Sequence, residues 1–257
     1  MYFSDVDAGD TRALIEYLDH VARVSADDKH KTFATQNLAP GMHVLDVGCG
    51  TGDDVRAIAE IVGPEGRVAG IDPSRALIHE ATARGVPPNA QFELASADAL
   101  PFDDATFDAV RAERVFQHLA ERECAARELK RVLKPGGTAL LLDQDWGSLI
   151  ISGADRPTTE RIVRALIDHH TNAWAGREAP GLLRRAGFSG VSVAPLVAAP
   201  ILPVAFKTIL NPAIDAALHA GSIDAETAAT WLRTLLEADA RGEFFCAVVV
   251  TIALGIA

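Results

Sequence analysis

Between residues 43 and 142 the chain alternates short apolar runs with stretches whose apolar residues recur every three to four positions. The runs at 43–47, 68–71, 92–95, 107–112 and 138–142 have the length and make-up of strands. Val55, Ile58, Ala59 and Val62 repeat at helical spacing, and Gly63-Pro64 stops that helix. Further helices are predicted over 76–82 and about 121–133, the second ended by Lys134-Pro135-Gly136-Gly137. Strand and helix in alternation at this spacing imply right-handed crossovers and a parallel sheet. Such sheets bind ligands beyond the carboxyl ends of their strands, so the residues just after each strand matter most.

After residue 145 the pattern changes. Ile162, Val163, Leu166, Ile167, His170 and Trp174 fall on one predicted helical face. A helix is predicted over about 180–186, a strand over 191–193, and two helices between 206 and 240. Asn211 is the expected cap of the first of these two, with Pro212 at its first position. Trp231, Leu232, Leu235 and Leu236 mark the inner face of the second, and a Val-rich strand over 244–254 closes the chain.

Composition narrows the partners. A chain of 257 residues is one α/β domain with room for insertions. A net charge of −11, with no cluster of Lys and Arg, argues against nucleic acid and anionic membrane surfaces as partners. Cys49, Cys124 and Cys246 are far apart and odd in number, which suits a reducing cytoplasm and neither a disulfide framework nor a zinc site. The first residues lack a basic region followed by a long apolar run, so no signal peptide is expected. The apolar stretch 244–257 is too short to span a bilayer as a helix.

Three segments carry candidate chemistry. In Val44-Leu45-Asp46-Val47-Gly48-Cys49-Gly50-Thr51-Gly52, glycines at every second position follow a strand and open a helix. Without Cβ atoms, the backbone there can approach a ligand closely. A dinucleotide fingerprint would place its third glycine at position 53, which is Asp53, so the spacing favours another ligand than a pyrophosphate. Asp72 stands at the end of the second strand, about 20 residues after the glycines, where a carboxylate can accept ribose hydroxyls. It could instead cap the helix that starts at Pro73 or Ser74. Asp98 follows the third strand and can accept from an adenine amino group, or it is a solvated loop residue.

These segments resemble the class I S-adenosylmethionine (SAM) dependent methyltransferases, especially the ubiquinone/menaquinone-biosynthesis-like branch. The likeness runs through residues 44–52, 70–74, 97–102, 107–119 and 131–137, and so covers about 40–145. It implies SAM as cofactor and transfer of a methyl group to a small-molecule O, N or C nucleophile. It also implies an α/β fold: a Rossmann-like seven-stranded sheet, mostly parallel, with its last strand antiparallel. By the same likeness Asp46 and Gly48, Cys49, Gly50 and Gly52 would hold the methionine part and approach the ribose, and Asp72 would bind the ribose hydroxyls. Ala97, Asp98 and Ala99 would hold adenine, flanked by Pro73 or Ser74, and Glu113 would lie near the methionine amino group or the acceptor. The expected division is N-terminal helices over 1–38, a SAM-binding core over 39–145, and the rest of the sheet with helical lid insertions at about 146–178 and 198–242.

Methyl transfer needs a general base only if the acceptor must lose a proton first. His118, which matches a histidine of the family beyond the fourth strand, is the first candidate and His170 the second. His118 could instead pack against the cofactor edge, and His170 could be a hydrogen-bonded histidine at a helix–helix contact. Trp146 and Trp174 are candidate surfaces for an aromatic or cationic acceptor, or packing for the insertion. No metal is assigned: Asp168, His169 and His170 are adjacent and point apart on a helix, while Glu113, Asp143 and Asp145 leave Mg²⁺ as a minor option. The rival readings are a non-catalytic SAM-binding protein and a nicotinamide oxidoreductase. A homodimer built through the insertions would cover their apolar faces.

Overall fold

The computed structural model describes residues 11–24 and 32–257. The readings made for 1–10 and 25–31, including the absent signal peptide, lie outside the described residues. Seven strands form one sheet: β1 (His43–Val47), β2 (Arg67–Asp72), β3 (Ala90–Leu94), β4 (Phe107–Glu113), β5 (Leu133–Ser152), β6 (Ser189–Ala198) and β7 (Phe245–Ile256). Their order is β3-β2-β1-β4-β5-β7-β6. β1 through β5 pair in parallel, and β7 runs antiparallel between β5 and β6. This is the expected Rossmann-like sheet with its last strand reversed.

Burial explains which strands the sequence displayed. β1 and β2 are covered on both faces, so their apolar residues run without a break. β3 is an edge strand carrying Gln91 and Glu93, and it begins two residues before the predicted position. Helices α2 (Asp53–Val62), α3 (Arg75–Ala83) and α4 (Arg122–Val132) form the crossovers where the periodicity placed them. α4 and α6 (Ala175–Arg185) cover one face of the sheet, while α2 covers the other together with Phe33. α1 (Thr11–Val24) buries Leu14 and Val21, and its Asp19 pairs with Arg84 at 2.7 Å.

Three features depart from the sequence pattern. First, β5 does not stop at residue 142: it continues through a bulge to Ser152 and pairs there with Phe245 of β7. Ser148 repairs the interrupted ladder, since its Oγ donates to Asp145 O at 2.6 Å and accepts from Val249 N–H at 2.8 Å. Second, His170 and Trp174 do not continue the stripe of Leu166. Helix α5 (Arg156–His169) ends because His170 is extended at ψ 136, and Trp174 begins the next helix. Third, Asn211 caps nothing. α7 (Leu202–Ala205), a π-turn at Phe206–Leu210 and α8 (Asn211–His219) form one continuous helical rod. Pro212 has no N–H to donate, and the wider turn before it takes up the change in register.

These elements and α9 (Ala225–Ala240) build a second hydrophobic core around Trp231, Ile162, Leu210 and Trp146. It rests on the extended ends of β5 and β7. Among the described residues, no helix is long and apolar enough to cross a membrane.

Candidate active site at the carboxyl edge of the sheet

The loop after β1 is shaped by its glycines. Gly48, Gly50 and Gly52 have φ of 71°, 54° and 80°, a region that side chains disfavour. A Cβ on Gly48 would fall 2.5 Å from Val115 Cγ2, and one on Gly52 would fall 2.5 Å from Phe92 Cζ. Gly50 differs. Its added Cβ would meet only Leu18 of α1, at 3.5 Å, so the helix lies over the loop with room beneath it. Cys49 N–H donates to Ile71 O at 2.8 Å and locks the loop onto β2. Burial pushes the Cys49 thiol far up, so it is no nucleophile.

Asp72 is 7% exposed. Its Oδ2 accepts from Gly50 N–H at 3.0 Å, and its Oδ1 accepts from Ser74 N–H at 2.9 Å. It does not cap α3. Ser74 does, with its Oγ accepting from Leu77 N–H. Each Asp72 oxygen takes one of these amides, which fixes the carboxylate at the end of β2 against the glycine loop. Pro73 beside it is exposed. On the third strand's loop Ala97 is buried and Ala99 exposed, and Asp98 accepts from Ser96 Oγ.

Sequence reasoning missed Arg111. Its side chain is fully buried in β4, with a lone positive charge inside an apolar run as the only signal. Its guanidinium lies 3.0 Å from Glu113, 3.1 Å from Asp54 and 3.7 Å from Asp46, and it sits 4.6 Å from the centre of the Phe33 ring. Asp46 and Glu113 thus form one buried ionic network beneath the glycine loop. Arg114 pairs with the other Glu113 oxygen at 2.9 Å from a strained backbone at φ 59°.

A second group forms beyond β4 and β5. The His118 and His170 rings stand 6.5 Å apart, and Trp146 lies 4.9 Å from His170. Burial, then the neighbouring His170, pushes His118 down to about 4; burial also lowers His170. Both imidazoles are therefore neutral at pH 7. His170 Nδ1 lies 2.9 Å from Leu166 O; a carbonyl only accepts, so the proton sits on Nδ1 and the lone pair on Nε2. Trp146 is not an open surface: it is 7% exposed and its Nε1–H donates to Gln117 Oε1 at 2.7 Å. Trp174 is 45% exposed and lies against Gly147. Among the described residues, no group of three or more His, Cys, Asp or Glu is arranged to hold a metal. Asp145 is instead bound to Arg177 at 2.6 Å, and Asp168 to Arg164 at 2.7 Å.

Fold and loop define an α/β protein with a glycine cradle after β1 that is bonded to the carboxylate ending β2. A family model described as a methyltransferase domain matches residues 44–137. An uncharacterised protein of transposon TN4556 from Streptomyces fradiae is 34% identical over 240 residues, which cover 91% of this chain and 68% of that one. The ubiquinone/menaquinone biosynthesis C-methyltransferase UbiE of Ectopseudomonas mendocina is 40% identical over 119 residues, 45% of this chain and 46% of that enzyme. The chain thus spans about half the length of such biosynthesis enzymes. A SAM-dependent methyltransferase from Aquifex aeolicus superposes with a TM-score of 0.54 at 25% identity, covering 71% of this chain and 89% of that one. The YcgJ protein of Bacillus subtilis shares the fold at 18% identity, with a TM-score of 0.62 and coverage of 90% and 98%. The chain belongs to the class I SAM-dependent methyltransferases, in the branch related to the ubiquinone/menaquinone biosynthesis enzymes.

Proposed function

We propose that the chain methylates a small-molecule acceptor held between the glycine loop and the His118–His170 pair. SAM supplies an electrophilic methyl group on a sulfonium. Asp72 takes the ribose hydroxyls, and Gly48, Cys49, Gly50 and Gly52 bring the backbone against the methionine half. Asp46 and Glu113, held by Arg111, offer negative potential to the ammonium and sulfonium end. Ala97, Asp98 and Ala99 meet the adenine, with Pro73 and Ser74 at its flank. The observation that supports this reading best is Asp72: a nearly buried carboxylate at the end of β2, tied to the glycine loop through Gly50 N–H.

On the acceptor side, neutral His118 or His170 can take a proton from a hydroxyl or acidic carbon as the methyl group arrives. The bonding of Trp146 to Gln117 makes it a support for His170, and half-exposed Trp174 is the better candidate for contact with the acceptor. The relatives named as C-methyltransferases favour an enolic or aromatic carbon acceptor. The acidic surface supports a cytoplasmic protein that avoids nucleic acid, and the apolar rims of the insertions leave room for a homodimer.

Calorimetric titration with SAM, S-adenosylhomocysteine and NADH, on wild type and Asp72→Ala, tests the cofactor site. Binding of the two SAM-type ligands, weakened by the substitution, is expected. Binding of NADH alone would overturn the reading. Release of S-adenosylhomocysteine across a panel of phenols, enols and amines then tests the acceptor class.

A further inference from the structure

Asp143 has no part in the chemistry above, yet its side chain is fully buried within β5, one residue past the last pairing with β4. Its Oδ1 accepts from Gln117 N–H at 3.2 Å, and the neighbouring Phe116 amide also favours the ionised carboxyl. Its Oδ2 is buried with no hydrogen-bond partner. Burial pushes this carboxyl up to about 8, against the two amides and Arg114, with Glu113 raising it further. At pH 7 it is therefore a neutral acid, which holds its partners by shape and hydrogen bonding rather than by charge.

The two amides belong to the turn that carries His118. Three further bonds tie that turn to the connection after α5. Gln117 O accepts from Asn172 N–H at 3.0 Å, Asn172 Nδ2 donates to Phe116 O at 3.0 Å, and it also donates to Leu119 O. Trp146 closes the frame: its indole N–H reaches Gln117 Oε1, its backbone N–H donates to Ala173 O at 2.8 Å, and its ring rests on His170. Three pieces of chain that are distant in sequence are thus cross-braced, with Asp143 at the base and one imidazole on each arm.

We propose that Asp143 is a positioning residue for methyl transfer: by gripping the amides of Phe116 and Gln117 it sets His118 against His170, so that the two imidazoles meet the acceptor as one fixed pair. This rests on the reading that the pair faces the acceptor. Burial of both rings, and the repulsion a second proton would meet, let the pair hold one proton at most near neutral pH.

The test is an imidazole ¹⁵N NMR titration of the full chain in wild type, Asp143→Ala and Asp143→Asn, with calorimetry against SAM on each. Signals are assigned with His118→Gln and His170→Gln. His118 should titrate near 4 in wild type. Asp143→Ala should free the turn and raise the His118 midpoint by about one pH unit or more, while SAM affinity stays within about threefold. Asp143→Asn offers a carbonyl oxygen to the same amides and should keep His118 low. A His118 midpoint unmoved in Asp143→Ala overturns the proposal, as does an Asn variant that behaves like the Ala variant. Should Asp143→Ala fail to fold, Trp146→Phe keeps an aromatic side chain there and removes the indole donor to Gln117. A shift of the His170 signal is then expected, and an unchanged one overturns the bracing. Wild type that binds no SAM would sink the methyltransferase reading instead, and leaves the histidine shifts readable on their own.

Discussion

The two halves of the site are built on different principles. The cofactor half lies in contiguous sequence: a strand, a glycine loop and a helix over 43–62, and a strand with its terminal carboxylate over 67–72. Its shape comes from backbone, through positive φ at Gly48, Gly50 and Gly52 and through amides received by Asp72. The proposed acceptor half comes from residues 117, 118, 143, 146, 170 and 172, which only the packing of the insertion on β5 brings together. A backbone cradle can stay constant while loops and insertions change what lies above it. The two halves should therefore fail separately.

The largest expected effect separates them at once. Trp231 is 1% exposed in the insertion core and donates to Thr159 Oγ1 at 2.9 Å. Trp231→Ala should cost about 3–5 kcal/mol in denaturant unfolding, through the lost burial and the cavity. SAM affinity of the still-folded protein should hold within about threefold; loss of both together would join the halves into one unit. Next, Asp72→Ala should weaken SAM by roughly 100-fold in calorimetry, since about 1.5–3 kcal/mol attends each hydrogen bond to a charged group. The histidine titrations should not move in this variant.

A third effect depends on pH. Folded Asp143 titrates at about 8, and its ordinary value is 3.8. Between those values the folded state keeps a proton that the unfolded state has released, so this residue's contribution to stability falls as pH rises through that window. Wild type should lose at least about 2 kcal/mol relative to Asp143→Asn between pH 5 and pH 8, given about 1.4 kcal/mol per pH unit. Parallel stability curves for the two proteins would contradict the buried acid. The smallest effect sharpens the cofactor half. Gly48→Ala should cost about 1–2 kcal/mol for a left-handed alanine, plus the clash with Val115. Adding Val115→Ala should relieve only the clash and leave the left-handed strain, a difference that a double-mutant cycle in thermal unfolding would measure.

How much could be read in the chain follows the same divide. Asp46, the glycines and Asp72 are legible because the chemistry depends on local order: a glycine where Cβ cannot fit, a carboxylate one strand later. Arg111 was missed because a charge in an apolar strand looks like a surface position until both faces of the sheet are covered. Asn211-Pro212 has the composition of a helix start, yet a π-turn absorbs the proline within a longer rod. His170 and Trp174 show periodicity overruled by hydrogen bonds: Asn172 binds the turn after β4 and ends the helix one residue before His170.

Sequence by itself determined the alternation of strand and helix, the place of the glycine loop and the carboxylate at the second strand's end. Local backbone sterics and strand-to-helix spacing set these, and both are written in consecutive residues. Tertiary structure alone decided the continuation of β5 through residue 145, the buried Arg111 network, and the meeting of Asp143, Gln117, Trp146 and His170 around His118. Each depends on which distant surface excludes water from a polar group, and burial of that kind becomes defined only when the chain closes on itself.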